Sequence, residues 1–441
     1  MDVEETQVSV RFVTKLPDQL KVPEEVLSVP AKLTRLGLSQ VVNSLLSLDP
    51  AQPFDFLILG ELLRQPLEKF LLAQSVSTET VLQVEYFKAV IPPQLRKQLP
   101  HDDWVSAVDG SQKQSILTGS YDGILRLWNN GGKLISSTQA HKQGINAVSC
   151  LPSSQGALAL SAGKDHSIRL WAAPALNTTS SGAVQPPTCL AVYKGHTDSV
   201  EDVAASPSGS AFCSGAWDGN VHIWQTGREV ALASEEAALA PATASKAVSK
   251  KRKLETTADA SSAVAEGPLQ EAAKAQLQGH SQCVSGVAWP DQDTIYSGSW
   301  DHSIRRWDAE TLINTDIHNG NKAIYCIAAA AAAASVVAFG GADRAWRLWD
   351  SRQSKKDNTG SKAFNSHTDW ITSVAWSPHS EHQVLTSSHD KSAKLWDTRA
   401  AVPLHTLEGH TDKVLCAGWC QQRRAATGGA DCKLMLYDLQ D

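Results

Sequence analysis

One step, repeated seven times, constrains this chain more than any other feature: an aspartate followed six residues later by a large aromatic. Asp122 leads to Trp128 in this way, Asp165 to Trp171, Asp218 to Trp224, Asp301 to Trp307, Asp343 to Trp349 and Asp390 to Trp396; a seventh copy joins Asp431 to Tyr437. Successive aromatics stand 43, 53, 83, 42, 47 and 41 residues apart. Four of these gaps fit one unit of ~40–45 residues, the length of a four-stranded propeller blade. The two long gaps require insertions. A unit of that size is stabilised by stacking on its neighbours. The repeat therefore predicts a mainly β fold, a seven-bladed propeller.

Each copy has an internal pattern. Four residues before the aspartate stands Thr118, Ser161, Ser214, Ser297, Phe339, Thr386 or Thr427. A histidine precedes it by 21 to 24 residues in six copies: His101, His141, His196, His280, His367 and His410. The aspartate, in a turn between strands, can accept from the imidazole and from turn amides; the hydroxyl and the indole N–H extend the chain. Buried polar groups need such partners, and a complete network fixes one register. The expected blade networks are His196–Ser214–Asp218–Trp224, His280–Ser297–Asp301–Trp307 and His367–Thr386–Asp390–Trp396, with their counterparts in the other copies. Serine, histidine and aspartate together also suggest catalysis, but a triad is needed once, and seven copies indicate architecture.

These motifs resemble the WD-repeat β-propeller family over residues 93–441. The fifth copy departs from the pattern: Phe339 replaces the hydroxyl, Gly320 stands at the histidine's place, and an alanine run occupies 328–334. A strand is expected there despite alanine's weak strand preference, in a blade held by apolar packing.

All 14 tryptophans lie at or after Trp104, which places a domain boundary near residues 90–100. Residues 1–90 read as a separate small domain and 91–441 as the propeller. In "QVSVRFVT", Val8, Val10 and Phe12 share one face of a strand. Helical spacing follows in "LSQVVNSLLSL", with Ser39 as its expected N-cap. "FDFLILGELLR" reads as a strand, a turn at Gly60 and a short strand; "PLEKFLLAQ" as a short helix; "VLQVEYFK" as a last strand with Leu82, Val84 and Tyr86 on one side. A weaker strand falls within "LKVPEEVLSV". This order suggests a β-grasp, ubiquitin-like fold.

The stretches "LTRLGLSQVVNSLL", "PFDFLILGELLR" and "LEKFLLAQSVSTETVLQVEYFKAVIPP" resemble the Notchless-like domain that precedes a propeller in two ribosome-assembly families. One is that of Notchless. The other, favoured by "VEYFKAVIPPQ" and the seven-blade count, is the WD-repeat subunit of a trimer with pescadillo and the block-of-proliferation protein. The resemblance implies a non-catalytic scaffold in large-subunit biogenesis and ribosomal RNA processing. It implies work on pre-ribosomal particles in the nucleolus and nucleoplasm, with direct RNA contact left open. It also implies that Glu79, in the loop "SVSTETV", is a ligand to a Mg²⁺ held by a midasin-type AAA ATPase.

The long gap after Trp224 contains an Ala/Ser/Thr/Glu-rich insertion at about 231–275, expected to be disordered because it lacks bulky apolar residues. Its basic cluster, Lys250, Lys251, Arg252 and Lys253, reads either as a solvated charge run or as a nuclear localisation signal. Ring closure is expected from residues 94–99, which stand where other blades carry an outer strand and should pair with 434–437. A net charge of −6 argues against nucleic-acid binding over the whole surface. No apolar run suits a membrane span, and the eight scattered cysteines lack zinc spacing. No phosphate cradle or nucleophile elbow is present, so neither a cofactor nor an enzymatic activity is expected. A generic WD-repeat adaptor, such as a ubiquitin-ligase substrate receptor, is the alternative reading.

Overall fold

The computed structural model describes residues 6–76, 80–112, 115–152, 157–173, 187–226, 269–330, 333–353, 361–421 and 423–439. Near its N-terminus, β1 (Gln7–Val13) pairs antiparallel with β2 (Val26–Pro30). After helix α1 (Arg35–Leu46) come β3 (Phe54–Ile58), β4 (Glu61–Leu62), helix α2 (Leu67–Ala73) and β5 (Leu82–Lys88). The sheet order is β2-β1-β5-β3-β4, with β1 and β5 parallel at its centre. This is the expected β-grasp arrangement. Val8, Val10 and Phe12 alternate inward against Leu82, Val84 and Tyr86, and Leu38 and Val42 of α1 cover them. The Tyr86 hydroxyl accepts from the Val22 N–H at 2.8 Å and donates to Leu20 O at 2.6 Å, anchoring the irregular 14–25 segment.

The helix starts earlier than its sequence suggests. Thr34 holds the N-cap position, and Ser39 lies buried inside α1, where its Oγ accepts from the Phe54 N–H at 3.0 Å. The apolar face begins at Leu38, one residue ahead of the expected cap.

Seven further sheets follow. In each blade the inner strand leads through two middle strands to an outer one, each antiparallel to the last. Neighbouring blades approach closely at small residues: a Cβ on Gly215 would lie 2.6 Å from Val284 Cγ1, and one on Gly428 2.5 Å from Val105 Cγ1. The second contact joins the last blade to the first. Closure is completed by β6 (Gln94–Pro100), which pairs antiparallel with Lys433–Asp438 in the register Leu99↔Leu434 and Leu95↔Tyr437. Leu99 is buried there with Val105, Ile116, Trp128 and Leu434.

In the fifth blade the alanine run does form strand, divided between Ile324–Ala330 and Ala333–Gly341. His318 stacks on Trp349 at 5.2 Å and meets Phe339 edge-on at 5.6 Å, so ring packing replaces the polar chain.

The insertion requires a correction at its C-terminal end. Leu269–Glu271, expected within a disordered stretch reaching about 275, is a strand, and Ala275–Leu277 is the outer strand of blade three. Leu269–Glu271 runs parallel to Thr188–Lys194 on the edge of blade two. Main-chain groups on an open sheet edge supply this pairing and need no bulky apolar side chains, which is why composition did not reveal it.

Candidate docking face and blade network

Where present, the polar chain of a blade is assembled from two strands, the turn between them and the loop that enters the inner strand. In blade three the Trp224 Nε1–H donates to Ser214 Oγ at 2.8 Å. Ser214 Oγ lies 2.7 Å from His196 Nε2, and His196 Nδ1 lies 2.9 Å from Asp218 Oδ2. An indole can only donate, so the hydroxyl accepts from it and turns its own hydrogen to Nε2. The imidazole then carries its hydrogen on Nδ1 and donates to the carboxylate. Blade four repeats this in Trp307, Ser297, His280 and Asp301, and blade six in Trp396, Thr386, His367 and Asp390, with distances of 2.7–2.8 Å. Blade two uses Trp171, Ser161, His141 and Asp165. In blade seven His410 reaches Thr427 and Asp431, while Tyr437 donates to Glu408 O. The turn after the aspartate is left-handed in six blades, at Gly123, His166, Gly219, His302, Lys391 and Cys432.

Blade one differs. His101 reaches Thr118 at 2.9 Å but turns its Nδ1 to Leu99 O, and Asp122 instead binds Arg126 at 2.7 Å. Arg126 also meets Asp102 at 2.6 Å. Arg126 is thereby clamped between two acids, whereas Arg169, Arg305 and Lys394, at the same place in blades two, four and six, leave the histidine-to-aspartate bond intact.

These environments set the charge states. Burial alone would raise the Asp218 carboxyl; the His196 N–H and the Asn220 and Thr197 amides outweigh it and bring it down to about 2. Burial is likewise outweighed at Asp165, Asp301 and Asp390, which lie well below the usual carboxylate range. Burial, and then the Arg126 guanidinium, hold His101 neutral down to about 4, against smaller opposing effects of Leu99 O, Asp122 and Asp102. Two contributions to stability are therefore expected to be lost in turn on acidification. Between its ordinary value of ~6.5 and about 4, the unfolded chain takes up a proton that folded His101 refuses. That contribution, roughly 3 kcal/mol, is complete above ~6.5 and is lost as pH falls toward 4. Below ~4 the stabilisation from the depressed aspartates is lost in turn. Urea titrations of wild type and His101→Asn at pH 7, 5 and 3.5 test this, the difference between the two isolating His101 from Asp202, whose raised carboxyl acts in the opposite sense over the same range; a difference that is the same at pH 7 and 5 would contradict it.

The same loops surround the mouth of the central channel. Tyr121, Trp217, Trp300 and His389 each immediately precede a blade aspartate. Trp217 and Trp300 lie 4.7 Å apart, Trp300 and Tyr325 5.7 Å, Tyr325 and Trp370 5.6 Å, and Trp370 and His389 5.6 Å. Trp104, Trp217 and Trp370 are each more than 40% exposed. Within the channel, burial raises the Glu201 carboxyl although Ser199 and the Trp217 indole donate to it. Asp202, pushed up to about 7 by burial, accepts the Val287 N–H of the next blade at 2.9 Å. Sequence reasoning missed this aromatic arc; a large ring directly before several repeat aspartates was the available signal.

The N-terminal domain touches the propeller at blade six. The Leu62 N–H donates to Arg399 O at 3.1 Å, and the Arg399 guanidinium lies over Phe87. His405 Nε2 is 2.9 Å from Val90 O. Asp55, buried in β3, accepts from Arg35 at 2.9 Å and Arg64 at 3.1 Å, another pairing its apolar surroundings concealed. Glu79 lies outside the described residues, in the 77–79 segment between α2 and β5, as do Lys250, Lys251, Arg252 and Lys253. All eight cysteines are free. No helix among the described residues is long and apolar enough to cross a membrane.

A ring of WD-type blades behind a β-grasp domain defines a WD-repeat protein with a Notchless-like N-terminal domain. The corresponding family descriptions, "NLE (NUC135) domain" and "WD domain, G-beta repeat", match residues 8–71 and six segments between 93 and 438. The six segments omit the fifth blade. The chain is 46% identical to the ribosome biogenesis protein WDR12 homolog of Chlamydomonas reinhardtii, over 99% of this chain and 98% of that protein. It is 38% identical to the Arabidopsis thaliana WDR12 homolog over 99% and 98% of the two chains. It is 33% identical to ribosome biogenesis protein YTM1 of Meyerozyma guilliermondii over 98% and 95%. The chain belongs to this WDR12/YTM1 family of ribosome biogenesis proteins.

Proposed function

We propose that the protein is a non-catalytic scaffold in maturation of the large ribosomal subunit and in ribosomal RNA processing, acting on pre-ribosomal particles. The observation that carries this reading is the end-to-end similarity to ribosome biogenesis proteins, with both domains in the same order. The scaffold works in a trimer with pescadillo and the block-of-proliferation protein. The exposed aromatic arc suits protein docking, since aromatic anchors carry much interface energy. The basic cluster at 250–253 directs import, and the protein acts in the nucleolus and nucleoplasm.

In the same reading, the N-terminal domain is the handle for release by a midasin-type ATPase. The Glu79 carboxylate fills an open octahedral position on the partner's Mg²⁺. Aspartate keeps the charge but is one methylene shorter, so Glu79→Asp is expected to fold, to join the trimer and to bind the isolated metal-site domain at least tenfold more weakly. Pull-downs with and without a chelator read this out. Equal binding by Glu79→Asp, or insensitivity to chelation, sinks the release mechanism. Affinity purification tests the scaffold role separately: pescadillo and the block-of-proliferation protein should co-purify, whereas cullin-type ligase subunits in their place would favour the adaptor reading.

A further inference from the structure

The residue paired with the blade hydroxyl on the next strand is a cation in four blades, Arg126, Arg169, Arg305 and Lys394; in the fifth blade Arg347 pairs with Phe339 at the same place, and blade seven carries Met435. In blade three it is His222, paired with Ser214. His222 is 5% exposed, and both of its ring nitrogens are buried without a hydrogen-bond partner. Leaving such atoms unsatisfied forfeits their solvation with nothing in return, and a neutral imidazole here offers a lone pair to nothing. The ring stacks on His196 at 3.9 Å and 11°. One nitrogen from each histidine and one Asp218 oxygen all lie within 4.8 Å of one another. Among the described residues no other trio of histidine, cysteine or acidic side chains converges in this way.

We propose that His196, Asp218 and His222 form a binding site for a divalent transition metal of the zinc class. Two imidazoles and a carboxylate suit such an ion, with water as the fourth ligand. With bonds of ~2.0–2.1 Å, a tetrahedral ion holds its ligand atoms about 3.4 Å apart, so the His222 ring swings toward Asp218 and the stack opens. His196 changes tautomer: Nδ1 presents its lone pair to the metal, and Nε2–H donates to Ser214, the outer hydrogen bond that orients a metal-bound histidine. Asp218 keeps the Thr197 and Asn220 amides, now 3.1 and 2.9 Å away. The metal thus supplies the positive charge that arginine or lysine brings in five of the other blades. A permanent cation at this position would have left no ligand set.

The full chain, stripped with a chelator and dialysed, is titrated with Co²⁺ and Zn²⁺. One equivalent should bind, Co²⁺ should give tetrahedral visible bands without a thiolate charge-transfer band, and Tm should rise with free metal. His222→Arg, which installs the residue of the neighbouring blades, should lose the visible bands and the Tm response while keeping the wild-type circular dichroism. His222→Gln serves as a second variant in case the arginine perturbs folding. Absence of stoichiometric binding, an unchanged response in both variants, or a thiolate band placing the ion on cysteines would overturn the site.

Discussion

A chain starting at residue 100 is expected to lose its propeller, whereas one starting at residue 89 retains it. The shorter truncation removes the β-grasp domain and contacts such as Leu62 to Arg399, which are local. The longer one also removes β6, and with it the outer strand of the last blade. Three consequences add. Buried Leu99 leaves the cluster it shares with Val105, Trp128 and Leu434, a loss of about 2–5 kcal/mol on the scale of core truncations. The ladder partners of Lys433–Asp438 disappear, including the Arg96–Asp438 ion pair. The exposed edge then invites association. Against a net stability of ~5–15 kcal/mol, this approaches the whole. Thermal denaturation and size-exclusion chromatography of the two truncations decide the matter; matching melting temperatures and monomeric profiles would rule out closure by this strand.

The second large effect separates two aspartates at the same repeat position. Asp390 accepts from His367 Nδ1 at 2.8 Å, the Thr368 N–H at 3.1 Å, the Ser392 N–H at 3.0 Å and the Ser392 hydroxyl at 2.6 Å. Asp390→Ala strands all four donors beside a buried imidazole, and a loss of about 3–5 kcal/mol is expected. Asp343 in the fifth blade is 36% exposed and meets Arg347 at 2.6 Å and the Arg344 N–H. Its replacement by alanine should cost about 0.5–1 kcal/mol, as for a surface ion pair. Chemical denaturation of both variants measures the difference. Equal losses would mean that the histidine-to-aspartate link contributes little and that blades hold by apolar packing alone.

That contrast also shows what a repeat makes legible. The spacing of Asp218, Trp224 and their counterparts states a fold because each copy must close the same set of hydrogen bonds. The alternation of Val8, Val10 and Phe12 states a strand in the same way. In blade one Arg126 holds both Asp122 and Asp102, while Arg305 and Lys394 at the same spacing leave Asp301 and Asp390 on their histidines, and spacing alone does not distinguish the two outcomes. The strand Leu269–Glu271 was hidden because main-chain pairing along an open edge leaves little mark on composition. His222 was visible in the sequence as an exception among arginines and lysines. Its unsatisfied nitrogens became evident only when Ser214 and His196 were placed around it. Glu79 rests on resemblance, since a lone acid carries no periodic signal to read, and the run at 250–253 is legible as a basic cluster while its composition alone leaves its purpose open.

The pairing of Leu99 with Leu434 also sets a clock. Some 335 positions separate the two partners, so β6 leaves the ribosome long before the strand it needs. At ~5–20 residues per second the wait is roughly 15–70 s. Throughout that interval the first blade lacks its neighbour and β6 presents unpaired main chain, the state most open to wrong association. The domain ahead of β6 can fold at once because its contacts are local, but the ring is committed only when Lys433–Asp438 arrives. The yield of functional protein in the cell is then governed by how well the nascent arc is shielded during this delay. Slowing translation of the last blade should lower that yield more than slowing the first.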